Sequence, residues 1–186
     1  MLMTAPTTIQ TERLLLRKPE AGDAASIFER YASDADVCRY LSWPRHRTIE
    51  DTHAFLEFSD AEWQNWPAGP YLIFSLSDGE LLGSTGLEFK EPKCASTGYV
   101  LARDSWGKGI ATEALLAMRK TAQNLSVERL YAHVHPQHHS SRRVLEKSGF
   151  ELEGALRQDL EFPNLEAGVK QDVVCYEQCI IPWELL

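Results

Sequence analysis

The sequence contains no long hydrophobic run. Nothing in it approaches the ~18 consecutive apolar residues a helix needs to cross a bilayer. Residues 1–10 have neither a basic start nor an apolar stretch. No membrane span and no signal peptide are therefore expected, and the expected location is cytoplasmic. Cysteine is scarce: Cys38, Cys94, Cys175 and Cys179 are the four present, with no C-x-x-C pair and no zinc-ribbon spacing. Reduced, mostly buried thiols are expected. His133, His135, His138 and His139 crowd one segment, but no fourth-ligand set with matching spacing accompanies them, so no metal is expected. Basic residues are in deficit, 19 against 27 acidic, for a net charge of −8. That argues against a nucleic-acid partner, which needs a basic face to displace counterions.

The charge is uneven. Residues 1–102 carry −6, residues 103–161 carry +1 and residues 162–186 carry −3. At 186 residues, the chain fits one domain, with residues 1–10 expected to be frayed. A domain this size buries about 70% of its unfolded surface and folds without staples.

Periodicity divides the chain. Glu12–Arg17 reads as a first strand, and Ala24, Ile27, Phe28 and Tyr31 recur at helical spacing. Asp34–Tyr40 reads as a short helix. Thr48 with Asp51 resembles a capping box that opens a helix with Ala54, Phe55, Phe58 and Trp63 on its apolar face. Three strands follow, Tyr71–Leu76, Leu81–Phe89 and Cys94–Leu101, joined by an Asp78-Gly79 turn and a Glu91-Pro92-Lys93 turn, which makes an antiparallel meander. Ala111, Leu115, Met118, Ala122 and Leu125 mark one stripe of a helix from Ile110 to Asn124. A strand at Leu130–His135, a helix at Ser140–Ser148 stopped by Gly149, and strands within Phe150–Phe162 and Asp172–Ile181 complete the order. The class is α/β (α+β): a mixed sheet with helices on both faces, and a crossover after residue 94 that would place parallel neighbours.

Trp106-Gly107-Lys108-Gly109-Ile110-Ala111-Thr112-Glu113 follows a strand and opens an amphipathic helix. Glycines let backbone N–H groups approach an anion, the helix start adds unpaired donors, and Lys108 adds a cation. A phosphate cradle and a simple glycine-rich turn both fit this pattern. A Walker loop does not, because Gly-x-x-x-x-Gly-Lys-Ser/Thr is absent. A dinucleotide fingerprint does not, because its third glycine falls on Thr112.

This segment, with Ser141-Arg-Arg-Val-Leu-Glu-Lys-Ser-Gly-Phe150, resembles the GNAT superfamily of acetyl-CoA-dependent N-acetyltransferases. The resemblance is closest to the RimJ/RimL-type branch of ribosomal-protein-alanine N-acetyltransferases. Thr11–Arg17, Asp172–Tyr176 and Trp183-Glu184 resemble the opening and close of that branch. It implies a mostly antiparallel sheet of about six to seven strands and a direct transfer of acetyl from acetyl-CoA to a primary amine.

The family signature Gln/Arg-x-x-Gly-x-Gly/Ala falls on Trp106, Gly109 and Ala111, so Trp106 departs from it. The resemblance places the pyrophosphate on the backbone from Gly107 through Lys108, Gly109, Ile110 and Ala111 to Thr112. It places the pantetheine arm along Tyr99, Val100 and Leu101 as an added strand. The branch's Asn-x-x-Ser falls on His138 and Ser141; His138 would stand where the family Asn bonds that arm. Ser141 would contact the thiol or substrate, or bond local backbone at a helix start. The family's acidic Tyr falls on Leu145.

An attacking amine must lose a proton. Glu88 is the first candidate to take it, because Leu87 and Phe89 share one strand face and Glu88 takes the other; an exposed surface carboxylate is the alternative. A backbone N–H at the splayed end of Cys94–Leu101 would serve the oxyanion. The departing thiolate, with a pKa near ~8.5, needs little help. Trp43 and Arg45, with Pro44 and Arg47, fall in the insertion that lines the acceptor cleft in related enzymes; a Trp packed over a loop with two solvated Arg is the alternative. The expected partner is an amine, either a peptide N-terminus or a small molecule such as a polyamine or aminoglycoside, with the protein a monomer or homodimer. A non-catalytic acyl-CoA-binding module is the competing class.

Overall fold

The computed structural model describes residues 4–180. Eight strands form one sheet: β1 (Thr8–Gln10), β2 (Leu14–Arg17), β3 (Pro70–Ser75), β4 (Leu81–Glu91), β5 (Cys94–Leu101), β6 (Arg129–Val134), β7 (Glu151–Glu161) and β8 (Lys170–Cys179). Five α-helices accompany them: α1 (Ala24–Ile27), α2 (Ala35–Cys38), α3 (Ile49–Asn65), α4 (Ile110–Asn124) and α5 (His139–Lys147). A π turn over Phe28–Ala32 extends α1.

The spatial order is β1-β2-β3-β4-β5-β6-β8-β7. Every neighbouring pair is antiparallel except β5–β6. That parallel pair is closed by α4, as the crossover after residue 94 requires. The sheet is thus mixed and mostly antiparallel, with one strand more than the upper expectation.

Two cores lie on opposite sheet faces. Leu16, Tyr71, Ile73, Leu87, Phe89 and Leu101 pack with Leu115, Met118 and Ala122 of α4. Leu115 and Met118 have no exposed surface, and burying each contributes about 1.5–3 kcal/mol. On the other face, Leu72, Leu81, Val100 and Ala102 pack with Ile27, Tyr31 and Leu56.

Helix ends follow local rules. Thr48 and Asp51 make a reciprocal capping box at the start of α3. Gly149 follows α5 with φ of +84°.

Several expectations are corrected. Residues 8–10 are not frayed, because β1 pairs with β2. Ala5 is buried, and the Tyr71 hydroxyl donates to Pro6 O at 2.7 Å. The inward face of α3 is Thr52, Leu56 and Ser59, while Ala54 and Phe58 are exposed. Two of the four thiols are buried, Cys38 and Cys175, whereas Cys94 is half-buried and Cys179 exposed. Ile181, Trp183 and Glu184 lie outside the described residues. No helix among the described residues is long and apolar enough to cross a membrane.

Candidate active site

The parallel pair that breaks the antiparallel pattern also opens the sheet. β5 and β6 pair only over Cys94–Ser96 with Arg129–Tyr131. Beyond Ser96 they diverge into a wedge, leaving Thr97–Leu101 with β4 as their only strand partner. Ala102 N donates to Leu82 O at 2.8 Å, in register with the Gly83–Leu101 pair. Hydrogen-bond direction alternates along an antiparallel ladder, so residues 100, 98 and 96 bond toward β4. The backbone groups of Thr97, Tyr99 and Leu101 therefore face the wedge. The Leu101 carbonyl is taken by Trp106 Nε1 at 2.9 Å. The others form an exposed strand edge, the kind of edge an extended ligand joins as an added strand.

A cavity of about 990 Å³ opens from this wedge. Its floor is the sheet face carrying Ser84, Glu88 and Lys90 of β4, Ser96, Gly98 and Val100 of β5, and Tyr131 and His133 of β6. Period-two alternation puts Leu87 and Phe89 in the core and Glu88 on this floor. Glu88 stands directly across from Ser96, the last residue before the wedge, and accepts a long hydrogen bond of 3.5 Å from its hydroxyl. Gly98 keeps the floor flat: a Cβ there would meet nothing within 4 Å.

The facing wall comes from Tyr31, from Tyr40–Arg47 including Trp43 and Arg45, and from Phe55, Phe58 and Glu62 of α3. The Glu62 carboxyl is pushed up by burial and then by the charge of Glu88. Asp51 also lines the cavity, but its carboxylate accepts from the amides of Arg47 and Thr48.

His138 and Ser141 close a third side. His138 precedes α5, and its Nδ1 lies 3.1 Å from Ser140 Oγ. Tyr40 stacks on both His138 and His135, with ring centroids 4.7 and 5.0 Å apart. Burial, then the neighbouring His135 and His139, push the His138 imidazole down to about 4, so it is neutral near pH 7. Ser141 neighbours the Tyr99 phenol across the wedge; burial raises that phenol and Ser141 opposes the shift. Leu145, where the family Tyr would stand, is buried and brings no acid.

The glycine-rich loop lies outside this cavity, beyond the open end of β5. Gly107 and Gly109 have φ of +74° and +76°, a left-handed geometry that other residues adopt at a cost. Gly109 caps α4, and the first intrahelical bond runs from Glu113 N to Gly109 O. The N–H groups of Ile110, Ala111 and Thr112 therefore have no intrahelical acceptor, and a glycine cap has no side chain to supply one. Such a start is suited to an anion.

Sequence reasoning missed what holds this loop in place. Glu113, in the first turn of α4, accepts from Thr11 Oγ1 (2.6 Å), Arg13 N (2.9 Å) and Arg13 Nε (2.7 Å). Arg13 Nη1 also donates to Lys108 O at 2.9 Å. Burial pushes the Glu113 carboxyl up, but these hydrogen bonds outweigh it and hold it below the usual range. Its charge is thereby committed to Arg13 rather than repelling an anion at the helix start. Arg13 belonged to a legible strand motif, but its partner lies 100 residues away. Among the described residues no three His, Cys, Asp or Glu side chains converge on a metal-binding geometry.

The fold and the wedge describe one class, an acyltransferase sheet with a split between its parallel strands, and comparison with known proteins agrees. Residues 13–151 match the acetyltransferase (GNAT) domain model, so the chain belongs to the GNAT acetyltransferase family. It is 30% identical to the uncharacterized N-acetyltransferase p20 of Bacillus licheniformis, over 81% of this chain and 85% of that one. It resembles the crystal structure of a GNAT-family acetyltransferase from Bacillus anthracis, with a TM-score of 0.79, 27% identity and coverage of 93% and 98%. RimL, a ribosomal L7/L12 alpha-N-protein acetyltransferase solved in complex with coenzyme A, shares the fold at TM-score 0.79 and 24% identity, over 92% of this chain and 97% of that one.

Proposed function

We propose that this acetyltransferase seats acetyl-CoA in the β5–β6 wedge and passes the acetyl group directly to a primary amine entering from the Trp43–Arg45 side. The observation that carries the reading is the exposed backbone edge of Thr97–Leu101, continuous with the 990 Å³ cavity and ending at the Gly107–Thr112 loop. An extended amide-bearing arm ending in a pyrophosphate fits that order of sites. What acetyl-CoA supplies when bound is an activated acyl thioester.

The chain's own groups do the rest. The edge amides of Thr97 and Tyr99 hold the arm, and one N–H at the mouth of the wedge donates to the acyl oxygen as negative charge develops on it. The amides of Ile110, Ala111 and Thr112, with Lys108, hold the pyrophosphate. His138, neutral near pH 7, hydrogen-bonds to the arm as the Asn of the related branch would. Glu88 takes a proton from the ammonium, directly or through one water, and the free amine attacks. As the tetrahedral adduct collapses, the C–S bond breaks and the second proton on the attacking nitrogen passes to the departing thiolate or to solvent, since the Leu145 position offers no acid. Positioning, rather than a covalent enzyme intermediate, supplies the rate.

The acceptor is a peptide α-amine or a small amine, drawn to an acidic flank, and the enzyme works in the cytoplasm as a monomer or homodimer. The test is thiol release from acetyl-CoA across a panel of peptides, polyamines and aminoglycosides, followed by mass spectrometry of the products. Amine-dependent release with acetyl on the amine nitrogen is expected. Tight coenzyme A binding with no turnover of any amine would instead identify a binding module.

A further inference from the structure

The loop that forms the acceptor wall is held by a residue far away in sequence. β7 and β8 are joined by a turn in which Leu165 N and Glu166 N both donate to Phe162 O, at 2.9 and 3.1 Å. Gly168 N closes it on Glu161 Oε1 at 2.8 Å. From this turn Asn164 reaches the segment between α2 and α3. Its Oδ1 accepts from Arg45 N, and its Nδ2 donates to Cys38 O and to Trp43 O, all at 2.8 Å.

We propose that Asn164 is a positioning residue for the acceptor side of the site: its amide, donating to Cys38 O and Trp43 O and accepting from Arg45 N, fixes the loop that presents Trp43 and Arg45 to the cavity. The inference rests on the reading that this loop bounds the acceptor.

The chemistry singles out asparagine. One acceptor faces a backbone N–H and one donor group faces two carbonyls, so the amide has a single workable orientation. An aspartate could still accept from Arg45 N but would set its second oxygen against both carbonyls. An alanine would leave all three backbone groups without this partner, in a stretch of irregular chain that has no ladder to absorb them. The loop is also tied at its ends, by Leu41 N to Cys38 O at 3.0 Å, His46 N to Ala32 O at 2.9 Å, His46 Nδ1 with Thr52 Oγ1 at 2.8 Å and Arg47 N to Asp51 Oδ2 at 2.7 Å, while its middle has besides Asn164 a long 3.4 Å bond from Arg45 Nη1 to Ser33 O. The turn itself is well founded, because Phe162 is buried and meets His135 edge-on at 4.9 Å. Tyr40 of the held loop stacks on that same His135. Asn164 thus bridges a fixed support to the wall that an acceptor would touch, and its hydrogen bonds go to that wall rather than to the β5 edge or the glycine-rich loop.

The test uses Asn164→Ala and Asn164→Asp in the full chain. Amide hydrogen exchange is expected to show residues 39–47 other than Arg45 deprotected in both, with the Arg45 amide itself exposed in the alanine variant and still protected in the aspartate variant. With the panel amine of highest turnover, acceptor KM is expected to rise about tenfold, while acetyl-CoA KM and coenzyme A affinity hold. Unchanged exchange over residues 39–47 would overturn the proposal. So would a parallel loss of acceptor and coenzyme A affinity that tracks melting temperature. If the alanine variant does not fold, the aspartate variant carries the same comparison. Exchange needs no turnover, so an absence of acetyl transfer in the wild type would sink the functional reading and leave this one to be judged by exchange alone.

Discussion

At the scale of single residues, the account turns on Glu88, Arg13 and His138. Glu88→Gln keeps the size of the side chain and removes its basicity. The expected outcome is a kcat lower by about 10²–10⁴ with acetyl-CoA KM unchanged. Unchanged turnover would remove Glu88 from the reaction. Arg13→Ala releases the Lys108 carbonyl and removes the counter-charge of Glu113, which keeps its bonds from Thr11 Oγ1 and the backbone N of residue 13. Acetyl-CoA KM should then rise about tenfold, with acceptor KM steady, because a carboxylate without its counter-charge faces the anion at the start of α4. His138 yields a stability prediction. Its folded pKa of about 4 lies below the ordinary 6.5, so between those values the unfolded chain takes up a proton that the folded chain refuses. Its contribution is complete above pH 6.5 and is lost as pH falls toward 4. Urea melts of His138→Asn should be flatter with pH across that window than those of the wild type.

At the scale of elements, the wedge matters more than any one side chain. Gly98 has open space where a Cβ would go, so Gly98→Val should fold normally, β-branched residues being suited to strands. Its branched side chain would rise from the cavity floor between Glu88 and the wedge. Acceptor kcat/KM should fall at least tenfold while the melting temperature changes little. A fully active Gly98→Val would mean that the substrates do not cross this floor.

Much of this scale was legible in the sequence. The α4 stripe, the Thr48–Asp51 box, the Asp78-Gly79 hairpin and the Gly149 stop are all local, and local rules describe them. Other elements depended on contacts that no local rule reports. β1 is three residues long and exists because β2 pairs with it. α3 buries Thr52, Leu56 and Ser59 rather than its larger Phe58, which lines the cavity. The split between β5 and β6 is a matter of register between strands separated by a whole helix. Strand patterning placed Cys94–Leu101 as a strand, and the family resemblance assigned the glycine-rich loop and His138–Ser141 to one ligand. Neither could bring Arg13 to Glu113 or Asn164 to Arg45, because those pairs are about 100 residues apart or more.

At the scale of the whole molecule, the uneven charge acquires a location. The near-neutral middle segment holds the proposed anion site, and the acidic flanks build most of the proposed acceptor wall. A net charge of −8 should favour the approach of a cationic amine, so kcat/KM for a polyamine acceptor should fall as ionic strength rises. Insensitivity to salt would end the steering idea and leave the acetyl-CoA site untouched. The central claim is that site, and a crystal structure of the protein with coenzyme A tests it most directly. The account predicts the pantetheine arm along the Thr97–Leu101 edge and the pyrophosphate on the amides of Ile110, Ala111 and Thr112. Coenzyme A bound away from both the wedge and the start of α4 would contradict it.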